Sequence, residues 1–259
     1  MKIGFIGCGN MATAMLKGIL KSGEVEASDM IASAKSDKTR EKIEKELGIR
    51  KADTNAQVVD FADVVFLAVK PQFLEGVLDE IRDSVKAGQI FISIAPGKTL
   101  QWLGGRLGEN TKVIRTMPNT PAMVGEGMTA LCVNELVTEE EIALAVKLCD
   151  TFGKTEVIPE HLMDAVVGVS GSSPAYVFMF LEAMADAAVA DGMPRAQAYK
   201  FAAQSVLGSA KLMLETGKHP GELKDMVCSP AGTTIQAVRV LEEKGFRSAV
   251  IEAQTECVK

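Results

Sequence analysis

A glycine-rich turn stands near the start of this chain, between a short apolar segment and a helical one. Ile3–Ile6 is the apolar segment, Gly7-Cys8-Gly9-Asn10-Met11-Ala12 follows it with the spacing Gly-x-Gly-x-x-Ala, and a helix is predicted from Met11 to about Leu20. In such a turn the first glycine permits the tight bend, the second lets a pyrophosphate approach the backbone, and the small third residue lets the helix pack on the strand. The N–H groups at the helix start then face the phosphates. Because the turn lies between a strand and a helix, it predicts dinucleotide binding rather than a plain strand–turn–helix.

Apolar runs alternate with helical stretches through about residue 155. The runs predicted as strands are Ile3–Ile6, Met30–Ser33, Val64–Val69, Ile90–Ile94, Val113–Thr116 and Met128–Val133, and further helices are predicted at Asp37–Leu47, Gln72–Ser84 and Glu139–Phe152. Continuous runs of Val, Ile and Phe suit parallel strands that are buried on both faces. The alternation therefore predicts an α/β fold with a Rossmann-like doubly wound sheet.

The pattern changes near Pro159, beyond which the chain is predicted to be all-helical. Pro174 and Pro194 each stand at the start of a helical run, as expected for proline in the first turn of a helix. We therefore predict two domains, a dinucleotide-binding Rossmann domain over residues 1–158 and a helical domain over residues 159–259.

The helical run from Pro174 to Ala190 is apolar on nearly every face. Its charged residues, Glu182 and Asp186, form one narrow polar stripe. A helix of this kind must be buried on most sides, which a small helical domain achieves by packing against a second copy. We predict a homodimer and leave assembly into a larger homo-oligomer open. The two acids are interpreted as a hydrated or hydrogen-bonded stripe, with a catalytic pair as the alternative.

Composition argues against several kinds of partner. The formal net charge of −6 comes without a basic cluster, which argues against nucleic acid. No apolar segment is expected to reach the length of a membrane span, since Glu182 interrupts even Ala175–Leu181. The five cysteines are odd in number and lack Cys-x-x-Cys spacing, so reduced thiols and a cytoplasmic location are expected, without a signal peptide. The two histidines, His161 and His219, are far apart, and no metal site is predicted.

The end of the second predicted strand indicates which dinucleotide is bound. Enzymes that use NAD place an acid there to bond the ribose 2′-hydroxyl, whereas this strand ends Ala32-Ser33-Ala34-Lys35-Ser36 without one. Ser33 and Ser36 can donate hydrogen bonds, and Lys35 can neutralise a 2′-phosphate. We therefore predict NADP(H), with NAD(H) as the alternative cofactor and a solvated loop lysine as the alternative role of Lys35. Ser36 with Asp37 is also expected to cap the following helix.

The chain lacks the usual proton donor for reduction of a ketone. Neither Tyr176 nor Tyr199 is followed four residues later by lysine, as the Tyr-x-x-x-Lys arrangement requires. Hydride transfer to a protonated imine has a lighter requirement, because its C=N group is already electrophilic and the protein mainly binds and orients it. The sequence therefore favours an imine substrate.

A second turn of small residues precedes the predicted helix Ile235–Glu243. It reads Cys228-Ser229-Pro230-Ala231-Gly232-Thr233-Thr234. Hydroxyl side chains and free N–H groups at a helix start form a pocket for an anion such as a carboxylate. The alternative is ordinary capping of the helix by Thr233 or Thr234.

Five stretches, in order along essentially the whole chain, together resemble one enzyme family. They are Phe5–Ala12, Leu67–Gln72, Val113–Pro121, Ser170–Tyr176 and Leu223–Ile235. The family is that of pyrroline-5-carboxylate reductase, which uses NAD(P)H to reduce the C=N bond of 1-pyrroline-5-carboxylate to L-proline in the last step of proline biosynthesis. The resemblance implies the same oxidoreductase activity, with the helical domain serving in substrate binding and dimerisation.

The resemblance also implies roles for residues that match the family's motifs. Together with Ser33, Lys35 and Ser36, the implied cofactor-binding residues are Ile6, Gly7, Cys8, Gly9, Asn10, Met11, Ala12, Asn55, Ala68, Val69, Lys70, Pro71, Ile94, Ala95 and Pro96. The implied substrate-binding residues are Ser229, Gly232, Thr233, Thr234 and Glu160. Thr234 is implied to lie nearest the ring nitrogen and is our candidate catalytic residue.

The chain departs from the family's pattern at a few positions, and two charged residues keep alternative interpretations. Ser173 and Ala231 stand where the family usually has glycine, and Pro96 replaces a common alanine. These changes are expected to alter substrate affinity or cofactor preference rather than abolish activity. Lys70 is interpreted as support for the loop or the cofactor, with a general acid as the alternative. Arg115 is either a structural ion-pair residue or a ligand contact at the end of its strand.

Two other functions fit part of the pattern. A β-hydroxyacid dehydrogenase shares the architecture but carries a catalytic lysine early in its helical domain, and Asp164–Asp191 contains no lysine. A non-catalytic NADP-sensing protein would bind the cofactor without needing the hydroxyl-rich turn at Ser229–Thr234.

Overall fold

The computed structural model describes residues 1–258, and its first part is built on an eight-stranded sheet. The strands are β1 (Ile3–Ile6), β2 (Met30–Ser33), β3 (Arg50–Ala52), β4 (Val64–Leu67), β5 (Ile90–Ser93), β6 (Lys112–Met117), β7 (Gly127–Val133) and β8 (Gly153–Val157). Their order across the sheet is β3-β2-β1-β4-β5-β6-β7-β8, and neighbours are parallel except for β6 and β7. The order reverses between β1 and β4, the type of switch point at which open α/β sheets bind ligands. The predicted Rossmann-like sheet is confirmed.

Helices cover the sheet and then make up the rest of the described chain. Those of the first part are α1 (Asn10–Ser22), α2 (Asp37–Leu47), α3 (Asn55–Phe61), α4 (Pro71–Ile81), α5 (Leu100–Leu107) and α6 (Glu139–Asp150). After β8 come α7 (Met163–Val166), a π-helical turn (Val167–Ser172), α8 (Ser173–Ala190), α9 (Arg195–Thr216), α10 (Pro220–Val227), α11 (Thr233–Glu243) and α12 (Phe246–Glu256). The predicted all-helical character of this region is confirmed.

Two apolar layers, one on each face of the sheet, form the core of the first part. All four residues of β1 are buried, as the continuous apolar run predicts. Phe5 of β1 stacks on Phe66 of β4 with ring centroids 4.5 Å apart, in the layer that α1, α2 and α6 complete. Ile6 belongs to the opposite layer, which α3, α4 and α5 complete. Because side chains alternate across a strand, each central strand contributes to both layers.

The elements that the sequence pattern missed are short or polar. The strands β3 and β8 end the sheet on its two sides and carry charged, exposed residues, such as Lys51 and Glu156, which is typical of protected edge strands. The helix α3 begins at a capping box in which Thr54 accepts from the Gln57 N–H and the Gln57 side chain accepts from the Thr54 N–H. Short elements with few buried residues, such as β3 and β8, give no apolar run or clear hydrophobic period by which to detect them.

The chain divides into two compact units, Met1–Gly171 and a helical unit that begins at Ser172. The domain boundary predicted at residues 158/159 lies just after β8, which ends at Val157. Pro174 lies in the first turn of α8 and Pro194 directly precedes α9, as the sequence indicates. The helix α11 begins at Thr233, two residues before the predicted Ile235. Gly217 ends α9 in the left-handed conformation, with φ of 63°, a conformation that glycine adopts without strain.

The expectation that no segment reaches the length of a membrane span is wrong for one helical stretch among the described residues. Glu160–Ala190 is long and apolar enough, by length and composition, to cross a membrane, and only 6% of its most apolar window is buried. The two acids Glu182 and Asp186 do not lower the average hydropathy enough to exclude it. A helix buried by a partner passes the same test, since it also needs an apolar surface.

Candidate active site

The glycine turn after β1 has the geometry that the motif requires. Gly7 has φ of +93°, and a Cβ there would lie 2.7 Å from the carbonyl oxygen of Ala68, so this position excludes any side chain. Gly9 precedes α1 as its N-cap without a side-chain hydrogen bond, and a Cβ at Gly9 would meet no atom within 4 Å. The turn thus leaves open space beside helix N–H groups that lack intrahelical acceptors. These features fit a pyrophosphate.

The loops after β4 and β5 lie at the same carboxyl edge of the sheet. The Ala68 N–H donates to the Ile6 oxygen at 2.8 Å, and the Ile94 N–H donates to the Leu67 oxygen at 3.2 Å. Beyond Ala68, α4 begins at Pro71. The predicted cofactor-binding segments Ala68–Pro71 and Ile94–Pro96 therefore follow adjacent strands. The Ala95 side chain is buried in the core, so this residue offers mainly its backbone to a ligand.

A pocket of about 420 Å³ opens beside the glycine turn and the end of β2. Ser33, Lys35 and Asn55, all predicted to bind the cofactor, line it together with Gly7 and Val69. The Ser33 hydroxyl donates to the Asn55 Oδ1 at 2.6 Å. The structure therefore brings the predicted adenosine-side residues together around one cavity.

Two positively charged residues, Lys35 and Arg40, line this pocket. Lys35 lies with its Nζ 5.5 Å from the centre of the Phe73 ring, a cation–π distance. Arg40, which the sequence analysis did not identify, also lines the pocket and donates from Nε to the Ala34 oxygen at 2.7 Å. Ser36 caps α2 by accepting from the Thr39 N–H at 3.2 Å, so the capping prediction for Ser36 is confirmed. Its cofactor role stays a prediction.

Cys8 is a buried thiol within the glycine turn. Burial raises its pKa, while the hydrogen bond with Thr13 and the charge of Lys42 oppose that rise. The Lys42 Nζ lies 3.5 Å from the Thr13 Oγ1, and a second pocket of about 410 Å³ is lined by Cys8, Gly9 and the lysines of α2. Because the thiolate is the reactive form, the raised pKa lowers the reactive fraction of Cys8.

The predicted substrate turn is a tight bend that leads directly into α11. The Gly232 N–H donates to the Ser229 oxygen at 3.0 Å, and the residue before Gly232, Ala231, has φ of +58°. Proline at the second position and positive φ at the third make this a type II turn. A Cβ at Gly232 would lie 2.4 Å from the Ser229 Oγ and 3.1 Å from the Ser229 carbonyl oxygen, so a side chain there would force the Ser229 hydroxyl to move.

The capping alternative for Thr233 and Thr234 is wrong. The N-cap of α11 is Gly232, which makes no side-chain hydrogen bond, and α11 already includes both threonines. No side-chain hydrogen bond of Ser229, Thr233 or Thr234 occurs within residues 1–258. Three hydroxyls and the first N–H groups of α11 are therefore available to an anion.

Ala231 is the one residue other than glycine with positive φ among those described. We expect Ala231→Gly to change the free energy of unfolding by no more than about 1 kcal/mol, because relief of strain offsets the greater freedom of the unfolded chain. Ala231→Val, with its β-branched side chain, is expected to distort the turn and raise the KM for an imine substrate at least about fivefold. Steady-state kinetics and thermal unfolding test the pair. Equal KM values in the two variants would contradict a role for the turn in substrate binding.

Glu160, predicted to lie near the substrate, is engaged in the first unit. Its Oε1 accepts from the Arg115 Nη1 at 3.1 Å and from the Leu100 N–H at 2.7 Å. Arg115 is buried at 6% exposure, so the ion-pair interpretation of Arg115 is supported. Burial and then the charge of Glu160 raise the pKa of the neighbouring Cys132 to about 11. These contacts give Glu160 a structural role, and its substrate role stays a prediction.

Comparison with known proteins agrees with this geometry. Residues 160–259 match a family model described as pyrroline-5-carboxylate reductase dimerisation, and residues 2–97 match one described as NADP oxidoreductase, coenzyme F420-dependent. A pyrroline-5-carboxylate reductase of Escherichia coli (strain K12) is 56% identical over 258 residues, covering 100% of this chain and 96% of the relative.

Two solved structures are also similar over nearly the whole chain. A pyrroline-5-carboxylate reductase from Coxiella burnetii superposes with a TM-score of 0.93 at 34% identity, covering 99% of this chain and 96% of the other. A Plasmodium falciparum pyrroline carboxylate reductase with NADP bound gives a TM-score of 0.89 at 28% identity, covering 100% and 95% of the two chains. With both units matched and a full-length relative above half identity, the chain belongs to the pyrroline-5-carboxylate reductase family.

Proposed function

We propose that this protein reduces the C=N bond of 1-pyrroline-5-carboxylate to give L-proline, the last step of proline biosynthesis, with NADPH or NADH as the hydride donor. The observation that carries the proposal is the turn Ser229–Gly232, which leaves the hydroxyls of Thr233 and Thr234 without partners at the start of α11. In a member of this family, a carboxylate-bearing cyclic imine is the ligand that matches those groups.

The protein's own contribution is binding and orientation rather than strong acid–base catalysis. When bound, the nicotinamide supplies the hydride. The open side of Gly9 and the first N–H groups of α1 hold the pyrophosphate. The first N–H groups of α11 and the Thr233 hydroxyl hold the substrate carboxylate, since a helix N-terminus carries partial positive charge. Because the imine nitrogen is protonated in the reactive form, Thr234 serves to hold the ring nitrogen in place, and fixing this geometry supplies much of the rate enhancement.

The direct test is nicotinamide oxidation by the purified protein with 1-pyrroline-5-carboxylate, with proline identified as the product. NADPH and NADH are compared at equal concentration. Turnover with stoichiometric proline supports the proposal. Binding of either cofactor without any proline formation would contradict it and would favour a different imine or a sensing role.

Thr234 provides a residue-level test of the substrate turn. We expect Thr234→Ala to lower kcat/KM for the imine by about 10- to 100-fold, the scale of one hydrogen bond to a charged group. The NADPH dissociation constant should not change, because the predicted cofactor contacts lie in the first unit. Thr234→Ser, which keeps the hydroxyl, should recover most of the activity. Equal losses in turnover and NADPH affinity for Thr234→Ala would contradict the assigned role.

The protein forms a homo-oligomer and acts on a small molecule, and we propose that the basic unit is a dimer in the cytoplasm. The helical unit supports dimerisation because it exposes large apolar side chains that a second copy can bury. On α8, for example, Phe178 is 65% exposed and Met179 is 70% exposed. The five cysteines are free, as expected in a reducing compartment. Sedimentation analysis distinguishes a dimer from a larger ring, and fractionation of cells separates a cytoplasmic from a membrane-bound protein.

A further inference from the structure

A chain of two short hydrogen bonds runs along one wall of the pocket at the end of β2. The Ser33 Oγ donates to the Asn55 Oδ1 at 2.6 Å, and the Asn55 Nδ2 donates to the Glu80 Oε2 at 2.7 Å. All three residues line the pocket. Resting on the cofactor use proposed above, we propose that Glu80 fixes the direction of this chain and thereby sets the preference of the protein between NADH and NADPH.

Elementary hydrogen-bond chemistry fixes the direction of the chain. An ionised carboxylate only accepts hydrogen bonds, so Glu80 requires the amide of Asn55 to turn its NH₂ group outward and its oxygen towards Ser33. The Ser33 hydroxyl then uses its one hydrogen on Asn55. What remains on the Ser33 oxygen are lone pairs, which only accept.

An acceptor at this position distinguishes the two cofactors. The ribose 2′-hydroxyl of NADH has a hydrogen to donate to these lone pairs, whereas the 2′-phosphate of NADPH is an anion that they repel. NAD enzymes place a hydrogen-bond acceptor for the ribose 2′-hydroxyl on an acid at the end of the second strand. Here the acceptor is the Ser33 oxygen, and Glu80 of α4 makes it an acceptor by orienting Asn55. Lys35 and Arg40 line the same pocket and attract the phosphate, and Asp53 adds a further negative charge. The pocket therefore combines opposing determinants, and Glu80 keeps NADH binding competitive.

Glu80→Gln tests this assignment, because the glutamine amide lets Asn55 rotate and frees Ser33 to donate. The readout is calorimetric titration of the protein, without imine, with NADPH and separately with NADH. We expect the ratio of the NADH to the NADPH dissociation constant to rise about tenfold, equivalent to about 1.4 kcal/mol. A general structural defect would weaken both cofactors alike and leave the ratio unchanged.

Glu75→Gln is the matched control. Glu75 lies on the same helix and forms an ion pair with Arg106, but it does not line the pocket. The Glu75→Gln variant removes the same charge from α4, and its ratio of the NADH to the NADPH dissociation constant should stay at the wild-type value. A tenfold shift in this control, or an unchanged ratio in Glu80→Gln, would overturn the proposal.

A double-mutant cycle separates action through Asn55 from simple repulsion of the phosphate by Glu80. In an Asn55→Ala background the relay is already broken, so adding Glu80→Gln should change the ratio less than about twofold. A full tenfold effect in that background would overturn the relay. Because no substrate is present, these outcomes are independent of whether the protein forms proline.

Discussion

Gly9→Ala is expected to bind NADPH at least about 100-fold more weakly, a loss of about 2.7 kcal/mol, while the protein stays folded. The backbone at Gly9, with φ of −76° and ψ of −169°, is accessible to alanine, and its Cβ would meet no protein atom within 4 Å. That empty space is the approach path we assign to the pyrophosphate. The unfolding free energy should fall by only about 1 kcal/mol, the difference between glycine and alanine at an N-cap.

Gly7→Ala is the comparator that shows the opposite pattern. At φ of +93° and with its Cβ 2.7 Å from the backbone oxygen of Ala68, alanine must displace the loop after β4. We expect a loss of about 2–4 kcal/mol in unfolding free energy. Calorimetric titration and chemical denaturation of both variants separate a binding role from a folding role. Wild-type NADPH affinity in Gly9→Ala would show that this turn does not hold the phosphates.

Most of the sheet could be predicted because its central strands are continuous apolar runs. All residues of β1, β4 and β5 are buried, and burial on both faces leaves a direct record in the sequence. The edge strands β3 and β8 contain no such apolar run, since most of their residues are exposed. The antiparallel direction of β7 was also not predicted, because direction depends on the path of the chain between strands rather than on composition.

The candidate site divides in the same way. The two glycine-containing turns, around Gly9 and Gly232, could be identified because all their parts are adjacent in sequence. Glu80 and Arg40 were not predicted as site residues. Each lies on a helix with several charged residues, and the sequence does not distinguish the one that faces the pocket from those that face solvent. For Arg40, the position near the end of β2 was an available signal. For Glu80, only the fold brings α4 to Asn55, 25 residues away along the chain.

The helical unit presents an apolar surface that a single copy does not cover. Beside Phe178 and Met179 of α8, Phe201 of α9 is 68% exposed and Ile251 of α12 is 65% exposed. A groove of about 890 Å³ between α8 and the last two helices is lined almost wholly by apolar side chains. Contiguous exposed apolar surface of this kind marks an interface, and the match of this region to a dimerisation model agrees with it.

Met179→Glu is therefore expected to convert the oligomer largely to monomer, because Met179 lines that groove and a buried unpaired carboxylate costs several kcal/mol. The loss should exceed about 100-fold in the dissociation constant, and light scattering coupled to gel filtration measures it. Gln101→Glu adds the same charge at an exposed position of α5 and should leave the wild-type oligomer intact. A monomeric wild-type protein, or a Met179→Glu variant with unchanged mass, would contradict an interface on α8. If the monomeric variant turns over the imine more slowly but still binds the cofactor, the second copy supports the substrate turn. Cofactor binding should survive because the glycine turn that we assign to the cofactor belongs to the first unit.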